Sequence, residues 1–290
     1  MFRRASIIIV TAMLAVTLAG CAQYAAAPPG GKTIVAVTIL PQQEFVASVG
    51  GDRVDITVMI PPGASPHTYE VTPAQMVKLS NAKAYFKVGS PIEFELTWLD
   101  KLIAQNKDIL VVDCSKGIDL IESDDPDEPG ADPHIWTSPR NVKTMVKNIC
   151  AGLSQVDPQG RQDYEKNRDS YLQQLGELDT TLQASLGHSS NRTFIVYHPA
   201  WGYFANDYSL KQLGIEQDGK EPKAAYMSRL INEARAEGIK VVFVSPEFDS
   251  RGAETIAREI GGRVVIIDPL AEGYLENMKA VASAFEEALK

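Results

Sequence analysis

Residues 158–187 read PQGRQDYEKNRDSYLQQLGELDTTLQASLG. Tyr164, Tyr171, Leu175, Leu178, Leu182 and Leu186 recur at intervals of mostly three or four, with charged and polar residues between them. That spacing puts one apolar stripe on a single long helix. Asp157 is placed to cap its start, with Pro158 at the first helical position, where a missing N–H leaves no bond unmade. Gly187 supplies the stop. A helix of this length spans roughly 40 Å at 1.5 Å per residue. It divides the chain into two parts of similar size.

Strand-like and helix-like runs alternate on both sides of it. On the N-terminal side, residues 33–40, 54–60, 84–88 and 109–113 read as strands, with helical runs at 41–49, 73–81, 92–105 and 138–153. On the C-terminal side, 193–197, 241–244 and 264–267 read as strands, alternating with helical runs at 223–237, 253–260 and 275–289. The strand runs are apolar throughout, the mark of parallel strands buried on both faces. The expected fold is α/β: two lobes with parallel sheets flanked by helices, joined by one long helix. The expected boundaries are 32–157 for the N-terminal lobe, 158–187 for the linking helix and 188–290 for the C-terminal lobe. No convincing internal sequence repeat relates the lobes.

The chain has 290 residues, 44% of them hydrophobic, enough for a sizeable core. Its net charge is -9 with no basic stripe, which argues against a nucleic-acid partner. Arg3 and Arg4 precede an apolar run at 7–18 that ends in Leu18-Ala19-Gly20-Cys21. A basic start, an apolar run too short to span a bilayer and a small-residue cleavage site resemble a lipoprotein signal over residues 1–20. The expectation is cleavage before Cys21, lipid on its thiol, a flexible tether over 21–31, and a body held outside the cytoplasm on the membrane. Cys114 and Cys150 then share a compartment that permits a disulfide. Their spacing does not show that they meet, and the plainer reading is two buried small hydrophobes.

Three of the four histidines lie beside proline: Ser65-Pro66-His67, Asp132-Pro133-His134 and Tyr197-His198-Pro199. Asp268, in Ile266-Ile267-Asp268-Pro269-Leu270, and Glu247, in Ser245-Pro246-Glu247, follow strands of the second lobe. All five fall in loops after predicted strands, where open α/β sheets bind ligands. If the lobes face each other, these side chains meet in a cleft. A lone strand-end histidine is usually structural. Three imidazoles with a carboxylate at matching strand ends instead fit the tetrahedral set of a zinc-like ion. His188, just past Gly187, reads as a surface or helix-end residue.

The segment Gly63-Ala64-Ser65-Pro66-His67-Thr68-Tyr69-Glu70, followed by Thr72-Pro73, resembles the first ligand motif of the zinc- and manganese-binding solute-binding proteins of ABC importers. Asp132-Pro133-His134-Ile135-Trp136, before a helix opening in Ser-Pro-Arg-Asn, is similar to their second motif. Tyr197-His198-Pro199-Ala200-Trp201-Gly202-Tyr203-Phe204 is similar to the third, and Ile267-Asp268-Pro269-Leu270 to the fourth. The resemblance covers nearly all of the chain beyond the signal and keeps motif order.

It implies His67, His134, His198 and Asp268 as metal ligands. Glu247 also ends a strand of the second lobe and is the second candidate for the fourth place, or else a residue that orients a ligand. The resemblance implies a rigid linking helix, delivery of the ion to an ABC permease, a monomer and no enzymatic activity. The family's third ligand is typically His in zinc binders and Glu in manganese binders. His198 therefore points to Zn2+, with Mn2+ possible. A histidine-rich loop found before the second ligand in many zinc importers is replaced here by the acidic stretch ESDDPDEPGAD at 122–132. Glu70 and Asp132 are candidates to orient imidazoles, and Trp136, Trp201 and Tyr203 to wall the site. Three rival readings are a membrane-tethered zinc hydrolase, with three histidines, a water and Glu70 or Glu247 as base, a siderophore or cobalamin binder of the same architecture, which would need a broad aromatic or arginine-lined cleft rather than converging histidines, and a metal-binding surface adhesin. The hydrolase reading finds no His-Glu-x-x-His helix and no Gly-x-Ser-x-Gly turn.

Overall fold

The computed structural model describes residues 31–122, 130–187, 189–216 and 223–290. The expected signal with Cys21, most of the acidic stretch and His188 lie outside the described residues. The first lobe runs β1 (Thr33–Val37), α1 (Leu40–Gly50), β2 (Val54–Val58), α2 (Pro73–Leu79), β3 (Ala84–Lys87), α3 (Glu93–Ile103), β4 (Leu110–Asp113) and α4 (Pro139–Val156). Helix α5 (Arg161–Leu186) follows. The second lobe runs β5 (Thr193–Val196), α6 (Gly202–Asp207), β6 (Lys211–Gly214), α7 (Ala224–Ala236), β7 (Val241–Val244), α8 (Arg251–Glu259), β8 (Arg263–Ile266) and α9 (Tyr274–Ala288).

Among the described residues the strands form two four-stranded parallel sheets, ordered β2-β1-β3-β4 and β6-β5-β7-β8. The winding is the same in both lobes although no sequence repeat announces it. In each, strand order reverses beside the first strand, so a crevice opens at the strand carboxyl ends between β1 and β3 and between β5 and β7. The central strands carry the apolar runs: Val35, Ala36, Val37, Tyr85, Phe86, Val242 and Phe243 have no exposed surface.

Two elements escape the sequence reading. Strand β6 (KQLG) is a four-residue edge strand with Lys211 exposed, so it lacks the apolar run that marks a buried strand. Helix α6 is six residues long, too short to display a helical period.

The linking helix matches its stripe: Tyr164, Tyr171, Leu175, Leu178, Leu182 and Leu186 are all buried. Each such side chain contributes about 1.5–3 kcal/mol on burial. They join a core shared with α1, α4, α9 and one face of each sheet, while the far face of the second sheet has its own cluster. Both ends of α5 are pinned. A 3-10 turn (Pro158–Gly160) leads in. Asp157 does not cap as expected; its Oδ2 accepts from Arg53 Nε at 2.9 Å and from Tyr164 Oη at 2.6 Å. At the other end Arg192 donates to the carbonyls of Leu186, Tyr208 and Ser209, filling acceptors that a helix terminus leaves open.

Further bonds cross between lobes. Tyr171 Oη donates to Glu44 Oε1 at 2.6 Å, and Leu275 N reaches the same oxygen at 3.3 Å. Ser138 Oγ, which caps α4 by accepting from Asn141 N, donates to Asp207 Oδ2. Cys114 and Cys150 are buried and free, as the plainer reading has them. No helix among the described residues is long and apolar enough to cross a membrane.

Candidate metal centre

The three histidines reach one point from three strand ends. His67 lies in the loop after β2, in a turn closed by Thr68 N and Tyr69 N on Ser65 O at 3.2 and 3.0 Å. Gln75, at the start of α2, donates to Met59 O and ties the far end of that loop to the strand it left. His134 follows β4 through the acidic stretch. Its loop is held by Ser90 Oγ on Pro133 O, by Thr137 Oγ1 on His134 O at 2.9 Å, and by Tyr203 Oη on Asp132 O at 3.0 Å. His198 comes directly after β5.

The ring centroids lie 5.7 Å (67–134), 4.7 Å (67–198) and 5.1 Å (134–198) apart. One nitrogen from each ring can be chosen so that all three lie within 4.8 Å of one another. Each ring also turns its Nδ1 toward a carboxylate. His67 Nδ1 meets Glu93 Oε2 at 2.7 Å, His134 Nδ1 meets Asp132 Oδ1 at 2.8 Å, and His198 Nδ1 meets Glu216 Oε2 at 2.7 Å. A carboxylate on Nδ1 places the ring proton there and leaves a lone pair on Nε2. The Nε2 atoms of His134 and His198 are 3.2 Å apart. Two lone pairs at that distance repel unless a cation or proton lies between them. A tetrahedral zinc with bonds of about 2.0–2.1 Å needs nitrogens about 3.3–3.4 Å apart, close to the spacing here.

At His198 the surroundings favour neutral imidazole. Burial, and then the charges of His134 and His67, hold His198 well below the usual imidazole range. Burial alone would raise the Glu93 carboxyl, but the hydrogen bond and charge of His67 leave it below its ordinary value. The cavity walls include Pro66, Trp136, Phe248 and Leu270. Trp136 stands edge-on to His134 at 5.3 Å, and its Nε1 donates to Pro269 O at 2.8 Å, joining the lobes at the site. Phe248 stacks on His198 at 4.7 Å and 19°. The centre of a water-sized particle has only about 10 Å³ in which to move, which is room for one small particle.

Neither candidate acid belongs to the group of ligand atoms that lie within 4.8 Å of one another. Asp268 Oδ1 accepts from Leu270 N at 2.7 Å. Burial raises its carboxyl above the ordinary value. Glu247 lines the cavity, and burial, reinforced by the Asp268 charge, pushes its carboxyl up to about 7. Of the residues expected to orient imidazoles, Asp132 does so, whereas Glu70 is exposed. The sequence reading missed Glu93, in the first turn of α3, and Glu216, directly after β6. Glu93 comes after β3, a strand the sequence displays, so the rule that singled out the histidines could have reached it, whereas Glu216 follows β6, which the sequence does not display. Trp201 packs in the core against Phe204 and Phe285, and Tyr203 acts as a strap, also accepting from Ile121 N at 3.2 Å.

Comparison with known proteins agrees with this architecture. The family model for the periplasmic zinc-uptake complex component A matches residues 35–288. The high-affinity zinc uptake system protein ZnuA of Bacillus subtilis (strain 168) is 29% identical over 317 aligned positions, spanning 100% of this chain and 99% of that protein. The zinc-binding protein AdcA of Streptococcus pyogenes serotype M6 is 29% identical over 86% of this chain, which spans 53% of AdcA. A crystal structure of ZnuA superposes with a TM-score of 0.86 at 40% identity, covering 89% of this chain and 100% of that one.

Proposed function

The chain belongs to the family of the periplasmic zinc-uptake complex component A, and from that premise we propose that it captures Zn2+ between its lobes and hands it to an ABC permease. The family is one of solute-binding proteins, not enzymes. The reading assigns His67, His134 and His198 as ligands through Nε2, with a carboxylate of the second lobe completing the set. The observation that carries it is the pair of inward-facing Nε2 atoms at 3.2 Å, each on a ring whose Nδ1 is already engaged. Three nitrogens suit zinc better than manganese, which prefers oxygen. The small, apolar-walled cavity leaves no space for a hydrolytic substrate beside the ion.

Capture needs little rearrangement, because the imidazoles are already oriented. Delivery needs the set to break. With α5 pinned at both ends, the motion that breaks it is local: a ligand loop shifts while the lobes hold their positions. The reading further places a lipid on Cys21, the protein on the outer face of the membrane as a monomer, and lobe boundaries at 32–157 and 188–290. Mass spectrometry of the mature N-terminus checks the lipid, and an unmodified start at another residue would exclude it.

The test of the centre is zinc stoichiometry by elemental analysis, with affinity from competition against a chromophoric chelator. One zinc per chain is expected in the wild type, and loss of tight binding in His67→Ala, His134→Ala and His198→Ala. Full stoichiometry and affinity in any of these removes that histidine from the set.

A further inference from the structure

Glu95 is a carboxylate sealed inside the first lobe that touches none of the three histidines. It lies in the first turn of α3 and is 6% exposed. No basic side chain bonds to it among the described residues; Lys87, whose charge it feels, pairs instead with Asp113 Oδ2 at 2.9 Å. Hydrogen bonds alone hold it. Oε1 accepts from Val88 N at 2.6 Å and from Thr38 Oγ1 at 2.5 Å, and Oε2 accepts from Gly89 N at 3.0 Å. Burial raises the carboxyl, and these three bonds oppose that rise. A charge buried without a cation is costly, so three aligned donors mark a place built for it.

The donors belong to two strand ends. Thr38 follows β1, and Val88 and Gly89 follow β3, the strands that flank the crevice of the first sheet. Each end in turn holds a loop that carries an imidazole. Thr38 O accepts from Ile60 N at 3.0 Å, where the chain leaves β2 for His67. Ser90 Oγ, next to Gly89, donates to Pro133 O, the residue before His134. One carboxylate thus spans the roots of both histidine loops of this lobe. The same helical turn carries Glu93, which holds His67 Nδ1.

We propose that Glu95 is a positioning residue for the metal centre: by clamping the ends of β1 and β3 it fixes His67 and His134 at the separation that one ion requires. This rests on the histidine assignment above. Space-filling alone does not account for the residue. Glutamine has the same shape, but one of its two terminal atoms is an N–H donor. Both carboxylate oxygens of Glu95 face a backbone N–H, so either orientation of the amide sets donor against donor. A hydrogen-bonded clamp fails in Glu95→Gln, whereas a space filler survives.

Zinc affinity by chelator competition, the Co2+ absorption spectrum and the melting temperature of the metal-free protein are measured for the wild type, Glu95→Gln, Thr38→Val, Ser90→Ala, the Glu95→Gln/Ser90→Ala double variant and His134→Ala. Glu95→Gln should weaken zinc at least about tenfold and alter the cobalt spectrum. Ser90→Ala, which cuts only the link to the His134 loop, should weaken zinc less. The double variant should lose less than the product of the two effects, because both act along one path. Wild-type affinity and spectrum in Glu95→Gln, with only a lower melting temperature, overturns the proposal, and so do fully multiplicative losses in the double variant. If Glu95→Gln does not fold, Thr38→Val and Ser90→Ala decide: weaker zinc with an altered spectrum supports the clamp, and wild-type behaviour in both overturns it. Full zinc stoichiometry in His134→Ala would instead strike at the histidine centre itself.

Discussion

Alanine in place of Gly202 tests whether Asp132 sets zinc affinity through His134. Gly202 opens α6 in the second lobe and touches Asp132 from the first. A Cβ there would lie 2.2 Å from Asp132 Oδ2 and 3.4 Å from its Cγ, where ordinary contact begins at 3.4 Å. The carboxylate must therefore retreat by about 1 Å. Asp132 Oδ1 holds both the backbone amide and Nδ1 of His134 at 2.8 Å. A shift of about 1 Å carries those bonds past hydrogen-bonding range. Removing the outer partner of a ligating imidazole costs roughly 10–100-fold in metal affinity, or about 1.4–2.8 kcal/mol. Overpacking adds about 1–3 kcal/mol of lost fold stability. Chelator competition reads the first effect, and thermal unfolding of the metal-free protein reads the second. Asp132→Asn, with no added bulk, should show the affinity loss with a smaller drop in stability. If Gly202→Ala melts earlier yet binds zinc as the wild type does, Asp132 does not tune the site and the reasoning fails.

Gly176 is the contrasting position: in mid-α5, with nothing within 4 Å of an added Cβ. Gly176→Ala should stabilise the protein by about 0.5–1 kcal/mol and leave zinc affinity unchanged; destabilisation would mean the helix is not straight and open there. Trp136→Phe removes the donor to Pro269 O and strands a carbonyl between the lobes, at about 1–3 kcal/mol. A lower melting temperature and faster zinc release are expected, and an unchanged release rate would show that this bond does not hold the site closed. Burial raises the Asp157 carboxyl, but hydrogen bonds from Tyr164 and Arg53 leave it below its ordinary value. Its contribution to stability is therefore present above the unfolded value of about 3.9 and is lost as pH falls through the folded value. Melting curves of the wild type and Asp157→Asn should converge in that acid range, and parallel curves from neutral pH downward would refute the assignment.

The parts of this protein that a sequence displays are those governed by periodicity and by motif. The stripe from Tyr164 to Leu186 is legible because a long helix repeats its burial pattern over many turns. The buried strands are legible because both of their faces are apolar. The convergence of His67, His134 and His198 is foreshadowed by their shared place after strands. Strand β6 is hidden because an edge strand needs little apolar surface, and Glu216 was hidden with it. Glu93 sits in an ordinary first helical turn, where an acid is favoured by the helix dipole whether or not a histidine is near. The choice between Asp268 and Glu247 depends on side-chain direction, which strand order does not encode.

Helix α5, tied down by Arg53 and Asp157 at one end and by Arg192 at the other, has an energetic consequence. A receptor that clamps shut must spend part of its affinity on freezing two halves together; one whose grip is built in advance does not. Cargo uptake should thus leave the radius of gyration in solution almost unaltered and give only a small change in heat capacity. The downstream transporter then has no jaw angle to read. It must tell full from empty by the shape of a few loops around the ion.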